Sequence, residues 1–476
     1  MNDMKTYPLY LNGEFVTTGK HFAVKNPATA EIIGHMSTLD RPRLAQAISD
    51  AHAAFAGWRA LTAKARGEYL HEIGRELERR RDEIARIMTE EAGKPLAQSL
   101  GEVAMTVDHL HWFAEEARRG YGRIIPHQTD GKRNLVVKTP IGVVGAIGPW
   151  NFPLVLGVRK IAAALAAGCT ALLKPASYTP FCNVALAEAC HASGLPKGVF
   201  QLVAGSASEI AAEFLENPLV RKISFTGSTE VGRNLIAGAA ARIKPLSLEL
   251  GGLNAVLVFD DADLEKAVEG AMLAKFRNTG QSCIAANRIY AQRGIYEAFV
   301  NRLAEKTRAL KVGNGLEKDV QIGAMIDENA VKKAEEHIAD AQRRGARVLC
   351  GGKRLPGPGH FMEATVLAGV PRDSLCMHEE TFAPVAAVTP FDTEAEAIEA
   401  ANAAPFGLAA YAFTTNLGRV FRLMEQIEAG MLAINDGLPT TTNAPFGGVK
   451  QSGWGRELGS EGLEAFLESK HVSIAL

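Results

Sequence analysis

The sequence predicts an α/β protein built on parallel sheets that helices cover on both faces. After about residue 134, short runs of apolar and β-branched residues alternate with helical segments, which is typical of βαβ units. At 476 residues the chain is too long for one ordinary core, so we expect two or three domains. A composition of 47% hydrophobic and 22% charged residues excludes a disordered or fibrous protein.

The predicted elements begin with helices. Apolar residues recur at helical spacing over 44–58 and 73–88, before Gly93 and Pro95 end the second run. Strands are then predicted at 135–138, 142–147, 171–174, 200–203, 222–225 and 255–259. A second alternating set has predicted helices at 264–276 and 296–310 and strands at 347–349, 384–388 and 431–434. Consecutive glycines within 251–254 separate the two sets, which predicts a domain boundary there.

Charge and cysteine content restrict the partners and the compartment. The net charge of -1 creates no overall field for nucleic acid or an acidic membrane, so a small-molecule partner is predicted. The six cysteines lack the spacing of a disulfide framework or a zinc site, and no metal is predicted. The N-terminus has no features of a secretory signal, so we expect a cytoplasmic protein. The uncharged stretch 139–158 contains three prolines and is interpreted as strand, loop and helix start rather than a membrane span.

Four motifs follow predicted strands, where open α/β sheets bind their ligands. They are PWNFP at 149–153, KPAS at 174–177, FTGSTEVG at 225–232 and LELGG at 248–252. In the third motif, Ser228 or Thr229 can cap a helix whose free amides would meet a phosphate, with a plain helix cap as the alternative. Lys174 suits a cation aimed at a ribose or phosphate, with a solvated charge at a strand end as the alternative.

Three further residues suggest the chemistry. Cys283 lies in the polar bend NTGQSC, where a thiol is accessible to a substrate. Glu249 is a carboxylate inside an apolar run, which predicts either a buried ion pair or a general base with a raised pKa. Asn151 can donate a hydrogen bond to an oxyanion, although it also suits a turn. Together they fit thiol attack on an aldehyde, hydride transfer to a nicotinamide, and hydrolysis of the thioester by a base-activated water.

On these motifs the sequence resembles the aldehyde dehydrogenase superfamily. The matching stretches are PWNFP, LKPA, FTGST, LELGG, GQSC, EETFAP at 379–384 and PFGGVKQSGWGRELG at 445–459, in the family's order over nearly the whole chain. The resemblance implies Cys283 as nucleophile, Glu249 as base, and Asn151 with the Cys283 amide as the oxyanion hole. It implies cofactor contacts at Trp150, Lys174, Ser177, Gly227, Ser228, Glu380 and Phe382.

The resemblance also implies how the chain is divided. A Rossmann-like cofactor domain is expected at 1–121 and 141–252, an α/β catalytic domain at 253–450, and a β-strand oligomerisation extension at 122–140 and 451–476. In that extension a C-terminal strand would pair with the earlier segment and leave an edge for a neighbouring subunit. A homodimer or homotetramer is therefore expected.

Cofactor choice is predicted from Ser177. NAD-specific relatives often carry an acidic residue here, which would repel a 2′-phosphate. A small hydroxyl with Lys174 nearby predicts NADP as the cofactor, with some NAD activity. One departure from the family pattern is Ala383, where glycine is common after Phe382.

Within the superfamily the chain is most similar to the succinate-semialdehyde dehydrogenase branch, on WFAEEARRGYGRIIP and KFRNTGQSC. The similarity implies irreversible oxidation of succinate semialdehyde or a similar ω-carboxylated semialdehyde to the acid. Arg159, Arg277 and the hydroxyl of Thr440 would hold the substrate carboxylate, beside Phe446, because the arginine fork pairs with a carboxylate at two points. An internal salt bridge is the alternative for Arg277. The loop GLPTTTNAPFGG differs from the branch, so glutarate and 2-oxoglutarate semialdehydes and aromatic aldehydes stay open.

Other classes of protein compete with this interpretation. A CoA-acylating semialdehyde dehydrogenase would use the same thiol, but Glu249 favours hydrolysis. A catalytically silent protein on the same fold conflicts with the intact trio of Asn151, Glu249 and Cys283. A metal hydrolase fits poorly, because His109 and His111 are two residues apart and lie on different faces of a helix.

Overall fold

The computed structural model describes residues 4–476, and short strands occupy the segment before the first helix. They are β1 (Thr6–Tyr7), β2 (Leu9–Leu11), β3 (Glu14–Val16), β4 (His21–Lys25) and β5 (Ile32–Ser37). Each spans two to six residues with mixed exposure, which is too short for a clear period-two pattern. The prediction that the first part of the chain is helical is therefore wrong for this segment.

The helices predicted next are present. They are α1 (Arg41–Ala60), α2 (Ala63–Arg79), α3 (Arg81–Ala92) and α4 (Leu96–Glu116), followed by a 3₁₀ turn at Ala117–Arg119. The apolar run 73–88 is divided between α2 and α3, because the chain leaves helical geometry at Arg80. Gly93 ends α3 in the left-handed conformation with φ of 75°, as a glycine after a helix commonly does.

The middle of the chain alternates strands and helices. Its elements are β6 (Arg123–Ile125), β7 (Lys132–Pro140), β8 (Val143–Ile147), α5 (Pro153–Ala167), β9 (Thr170–Lys174), α6 (Phe181–Ala192), β10 (Phe200–Leu202), α7 (Ala207–Glu216), β11 (Val220–Thr226), α8 (Thr229–Ala240) and β12 (Leu246–Glu249). All of β8 and the first six residues of α5 are buried, which explains the uncharged stretch in the sequence. No helix within residues 4–476 is long and apolar enough to cross a bilayer.

The second alternating set follows. Its first elements are β13 (Asn254–Val258), α9 (Leu264–Phe276), a 3₁₀ turn at Arg277–Gly280, β14 (Ala286–Gln292), α10 (Arg293–Arg308), α11 (Glu328–Arg343), β15 (Arg347–Cys350), β16 (Thr365–Ala368) and α12 (Leu375–His378). The remaining elements are β17 (Val385–Phe391), α13 (Glu394–Asn402), β18 (Phe406–Gly407), β19 (Ala409–Phe413), α14 (Leu417–Gln426), β20 (Met431–Ile434), β21 (Val449–Lys450), β22 (Gly453–Trp454), α15 (Gly459–Glu464) and β23 (Leu467–Ala475). Each predicted strand from 135 onward overlaps an observed strand.

Two large sheets form the α/β core and confirm the predicted fold class. One has the order β22-β12-β11-β8-β9-β10-β2-β3, with β12, β11, β8, β9 and β10 parallel. The other has the order β15-β16-β17-β14-β13-β19-β20 and is parallel except for β15. The chain passes from the first sheet to the second between Glu249 and Asn254.

A third, smaller sheet combines distant parts of the sequence. In it β23 pairs with β7 along its whole length, from Leu467 opposite Pro140 to Ala475 opposite Lys132, and β6 lies on the other side of β7. The short strand β22 pairs instead with β12 in the first large sheet, although it lies within 451–476. The domain limits and the oligomerisation role of this sheet stay predictions.

The topology places the predicted motifs together. In the first large sheet the strand order reverses between β8 and β11, since β9 and β10 lie on one side of β8 and β11 and β12 on the other. Ligands bind beyond the carboxyl ends of strands at such a reversal. PWNFP follows β8 there, and FTGST and LELGG end β11 and β12, where Thr226 is the register partner of Glu249.

Candidate active site

Cys283 lies in a bend between the 3₁₀ turn Arg277–Gly280 and β14. Asn278 adopts a left-handed conformation with φ of 53°. Its side-chain amide donates hydrogen bonds to the carbonyl oxygens of Gln281, at 2.9 Å, and Asn151, at 3.0 Å. The loop that carries the thiol and the loop that carries Asn151 are therefore bound to each other.

The thiol of Cys283 is protonated near neutral pH. Burial raises its pKa to about 12, the carboxyl groups of Glu380 and Glu249 also raise it, and Arg159 lowers it. Its surroundings therefore favour the neutral thiol over the thiolate. Because the thiolate is the nucleophile, a base must take the proton before the sulfur attacks a carbonyl.

Asn151 follows β8 and is 5% exposed. Its Nδ2 donates to the carbonyl oxygen of Gln281 at 3.1 Å, which fixes the side chain against the thiol loop. An amide nitrogen has two hydrogens to donate, so the second can meet an oxyanion. The carbonyl oxygen of Asn151 accepts from Lys94 Nζ at 2.6 Å.

A buried ion pair that the sequence analysis missed supports Asn151. Lys94 and Glu102 are each 1% exposed, and their charged groups lie 2.6 Å apart. The second oxygen of Glu102 accepts from the backbone N–H groups of Leu154, at 3.0 Å, and Val155, at 3.2 Å, in the first turn of α5. A carboxylate is favourable at a helix N-terminus. The available signal was a glutamate on the buried face of α4, but its partner is determined by tertiary packing.

Glu249 ends β12 and is 3% exposed. Neither carboxyl oxygen has a hydrogen-bond partner in the part of the chain that the structure describes. Burial raises its pKa well above the usual value, and the nearby charge of Glu457 adds to the effect. Lys160, whose charge lowers the pKa, pairs with Glu457 instead. The ion-pair alternative for Glu249 is therefore wrong, and the shift has the direction that a general base requires.

The residues predicted for the ribose side lie at the ends of the parallel strands. Lys174 is 6% exposed, so the solvated-charge alternative is wrong. Its Nζ donates to the carbonyl of Pro175 at 3.0 Å, and burial lowers its pKa to about 8, with no carboxylate paired to it within residues 4–476. Ser177, three residues on, is exposed. A buried cation without an anionic partner fits a site for a phosphate or ribose.

The turn after β11 caps α8. The hydroxyl of Ser228 accepts from the backbone N–H of Val231 at 3.3 Å, so the helix-cap interpretation is confirmed. Gly227 donates its N–H to the carbonyl oxygen of Glu249 at 3.1 Å. The backbone of this turn therefore lies beside the base, and the first amides of α8 remain suited to an anion.

Three further residues predicted to contact the cofactor are Glu380, Trp150 and Phe382. Burial raises the pKa of Glu380 to about 7, and its Oε1 lies 3.5 Å from the N–H of Gly252. The rings of Trp150 and Phe382 meet edge to face at 5.6 Å. A Cβ atom on Gly251 would lie 3.2 Å from Glu380 Oε2 and 3.5 Å from Thr229 Oγ1, so Glu380 lies close to the start of α8.

A narrow pocket of about 30 Å³ contains the nucleophile and all the predicted substrate residues. Its lining residues are Met105, Phe152, Val155, Leu156, Arg159, Arg277, Ser282, Cys283, Ile284, Thr440 and Phe446. Arg159 lies over the Phe446 ring at 4.4 Å and Arg277 over the Phe152 ring at 4.8 Å. Arg277 forms no salt bridge with any described residue, so the internal-pair alternative is not observed. Nη1 of Arg159 lies 3.6 Å from Glu457.

The fold and the site define an oxidoreductase that acts on aldehydes. The profile of the aldehyde dehydrogenase family matches residues 15–472, and the chain belongs to this family. It is 50% identical to a glutarate-semialdehyde dehydrogenase of Pseudomonas aeruginosa, covering 98% of this chain and 97% of the relative. It is 49% identical to the NADP(+) succinate-semialdehyde dehydrogenase of Escherichia coli, covering 98% and 97%. The crystal structure of succinate-semialdehyde dehydrogenase from Burkholderia pseudomallei superimposes with a TM-score of 0.97 at 45% identity, covering 100% and 99%.

Proposed function

We propose that the protein oxidises a short aldehyde with a carboxylate at its far end, such as glutarate or succinate semialdehyde, irreversibly to the dicarboxylic acid. The observation that carries the proposal is that Cys283, Arg159 and Arg277 line one narrow pocket together. An apolar wall of Phe152 and Phe446 fits the methylene chain between the two ends of such a substrate. The named activities of the P. aeruginosa and E. coli relatives agree with this substrate class.

The protein's own residues divide the chemistry between them. Glu249 accepts the proton that the Cys283 thiol loses when the sulfur attacks the carbonyl carbon. Asn151 Nδ2 and the Cys283 backbone N–H stabilise the oxyanion that forms. When bound, a nicotinamide dinucleotide supplies the hydride acceptor. Glu249 then activates a water, which hydrolyses the thioester to the acid and regenerates the thiol.

We propose NADP as the preferred cofactor, with NAD accepted less well. Lys174, Ser177, Gly227, Ser228 and Glu380 would hold the dinucleotide, with Trp150 and Phe382 beside it. The exposed hydroxyl of Ser177 leaves room for a 2′-phosphate that a carboxylate would repel. Replacing Ser177→Glu should lower kcat/KM with NADP by about tenfold or more, by adding a like charge, and spare that with NAD. A wild-type enzyme that uses NAD much better than NADP would contradict this part of the proposal.

The substrate proposal is tested with three aldehydes of related shape. We expect kcat/KM for glutarate semialdehyde and succinate semialdehyde to exceed that for pentanal, which has no carboxylate, by about 10- to 100-fold, because charged hydrogen bonds contribute about 1.5–3 kcal/mol. The rate is followed by absorbance of the reduced nicotinamide. Equal turnover of pentanal and the semialdehydes would reject the role of the two arginines.

The same assay distinguishes hydrolysis from CoA acylation. An unpaired carboxyl group at Glu249 supports hydrolysis, so the rate should not depend on added CoA.

We also propose that β6, β7 and β23 join subunits into a homodimer or homotetramer, since the sheet exposes large apolar side chains, such as Ile124 at 76%. Sedimentation equilibrium should give two or four times the chain mass of 50.9 kDa, and the mass of a single chain would contradict the assembly.

A further inference from the structure

Beside the substrate pocket lies a roomier chamber that the mechanism does not use. Its volume is about 210 Å³, against about 30 Å³ for the pocket at the thiol. Met105, Arg159 and Thr440 line both spaces, so Arg159 stands at the partition between them. A carboxylate held by Arg159 would therefore lie at the edge of the chamber, next to free space.

The chamber wall contains an unsatisfied imidazole. His109, on α4, lines the chamber and is 1% exposed. Its Nδ1 is buried and has no hydrogen-bond partner among residues 4–476. Burial and the nearby charge of Arg159 hold the pKa of His109 well below its usual value, so the ring is neutral and carries one donor and one acceptor nitrogen. Buried polar groups are nearly always paired in native proteins, and this one lacks a partner beside a carboxylate-binding arginine.

The remaining charged group of the chamber is already engaged. Asp108 lines its outer part and accepts a hydrogen bond from the hydroxyl of Thr442. A substrate carboxylate would be repelled by Asp108 and attracted by Arg159, which keeps the acid end on the arginine side. The group that reaches His109 is then a neutral one, attached close to the carboxylate.

We propose that this chamber is a subsite for an oxygen substituent, hydroxyl or oxo, on the carbon next to the substrate carboxylate, with His109 as its hydrogen-bond partner. The inference rests on the proposed function and narrows it to 2-hydroxy and 2-oxo semialdehydes. An unsubstituted chain leaves His109 unpaired, whereas an oxygen substituent pairs with it. Leaving a buried polar group unpaired is unfavourable enough to discriminate by about 10- to 100-fold.

The test uses the stable dicarboxylic acids that correspond to the products. Inhibition constants competitive with the aldehyde are measured for glutarate, 2-hydroxyglutarate and 2-oxoglutarate on the wild-type enzyme and on His109→Phe, which keeps an aromatic ring and removes both nitrogens. We expect the wild type to bind one or both oxygenated acids about tenfold or more tighter than glutarate, and the better of the two identifies the substituent. In His109→Phe the inhibition constant of glutarate, divided by that of the better oxygenated acid, should fall to about one.

The matched control is His111→Phe, the same change two residues away on an exposed part of α4, which should keep the wild-type ratio. Equal inhibition of the wild type by all three acids, or a preference that persists in His109→Phe, would overturn the subsite. The ratio of inhibition constants on the wild-type enzyme tests the subsite even if His109→Phe does not fold. The outcome is separate from the proposed function: if glutarate semialdehyde still exceeds pentanal in kcat/KM while the acids bind equally, only the subsite fails.

Discussion

The two sides of the Cys283 thiol differ in how completely their buried polar groups are paired. On the Asn151 side, Lys94 and Glu102 bind each other, the Asn151 carbonyl and the first amides of α5. On the other side, Glu249, Arg159 and His109 have buried atoms without a hydrogen-bond partner in the described chain. Unpaired buried groups are unfavourable and uncommon. We infer that the first side is a scaffold that orients one donor, whereas the groups of the second side find their partners in water and substrate.

The largest expected effect is on the unpaired side. Glu249→Gln removes the base but keeps the size and shape of the buried side chain, so kcat should fall by about 10²- to 10⁴-fold. The free energy of unfolding should change by less than about 1 kcal/mol, because no ion pair is lost. Steady-state rates and denaturant unfolding measure the two quantities. A rate within tenfold of wild type would contradict the role of Glu249.

On the paired side, Asn151→Ala should remove the side-chain donor to the oxyanion. The expected loss is about 10²- to 10³-fold in kcat, with a smaller change in KM, because the hydrogen bond strengthens as the oxyanion forms. Steady-state kinetics with glutarate semialdehyde measures both constants. An unchanged kcat with a raised KM would indicate that Asn151 only binds the substrate.

The scaffold itself is broken by Lys94→Met, which leaves Glu102 buried without its cation. Removing one partner of a buried pair destabilises a protein by about 3–5 kcal/mol. The matched control is Lys197→Met, because Lys197 is 71% exposed and such changes stay within about 0.5 kcal/mol. Urea unfolding of both variants measures the difference. Equal stability of the two variants would show that the Lys94–Glu102 pair does not stabilise the structure that holds Asn151.

Arg277→Met should have a smaller effect that depends on the substrate. We expect kcat/KM for glutarate semialdehyde to fall by about 10- to 100-fold, since a charged hydrogen bond is lost, and kcat/KM for pentanal to stay within a few-fold of wild type. The comparison of the two aldehydes in one variant is the measurement. A parallel loss for both would assign Arg277 to the folding of the thiol loop instead.

The last prediction changes the pH and leaves the sequence unchanged. Because the pKa of Cys283 is raised to about 12, its thiolate fraction should increase about tenfold for each pH unit between 7 and 9. The rate of Cys283 alkylation by iodoacetamide in the cofactor-free enzyme should rise in proportion. Peptide mapping separates this reaction from that of Cys350, the other cysteine that is partly exposed within residues 4–476. A rate that is already at its plateau at pH 7 would show that the free enzyme holds a thiolate.

Much of this arrangement is predictable from local sequence. The motifs PWNFP, FTGST, LELGG and GQSC follow strands that their own apolar, β-branched residues define, and the topology of a parallel sheet brings strand ends together. The short N-terminal strands were missed because two to six residues of mixed exposure carry no recognisable period. Their position is determined by pairing with distant strands, as for β2 with β10.

The groups that the sequence analysis missed or misjudged all depend on tertiary burial. Lys94 lies between the helix-ending Gly93 and Pro95, and its pairing with Glu102 and Asn151 requires α4 and the PWNFP loop to meet. The sequence analysis uses His109 and His111 only to argue against a metal site, and the chamber that His109 lines is formed by α4 and the loop around Thr440. The raised pKa of Cys283 also depends on the assembled structure, because the pocket buries the thiol near the carboxyl groups of Glu380 and Glu249.

The central claim is that Cys283 carries the acyl group and that Glu249 is needed to release it. At pH 9, where hydroxide ionises a small fraction of the Cys283 thiol without Glu249, Glu249→Gln should therefore accumulate a thioester when it is incubated with NADP and glutarate semialdehyde, then quenched in acid. Intact-protein mass spectrometry should show one added glutaryl group, peptide mapping should place it on Cys283, and a Glu249→Gln, Cys283→Ala double variant should show none. No adduct, or an adduct on another cysteine, would contradict the account.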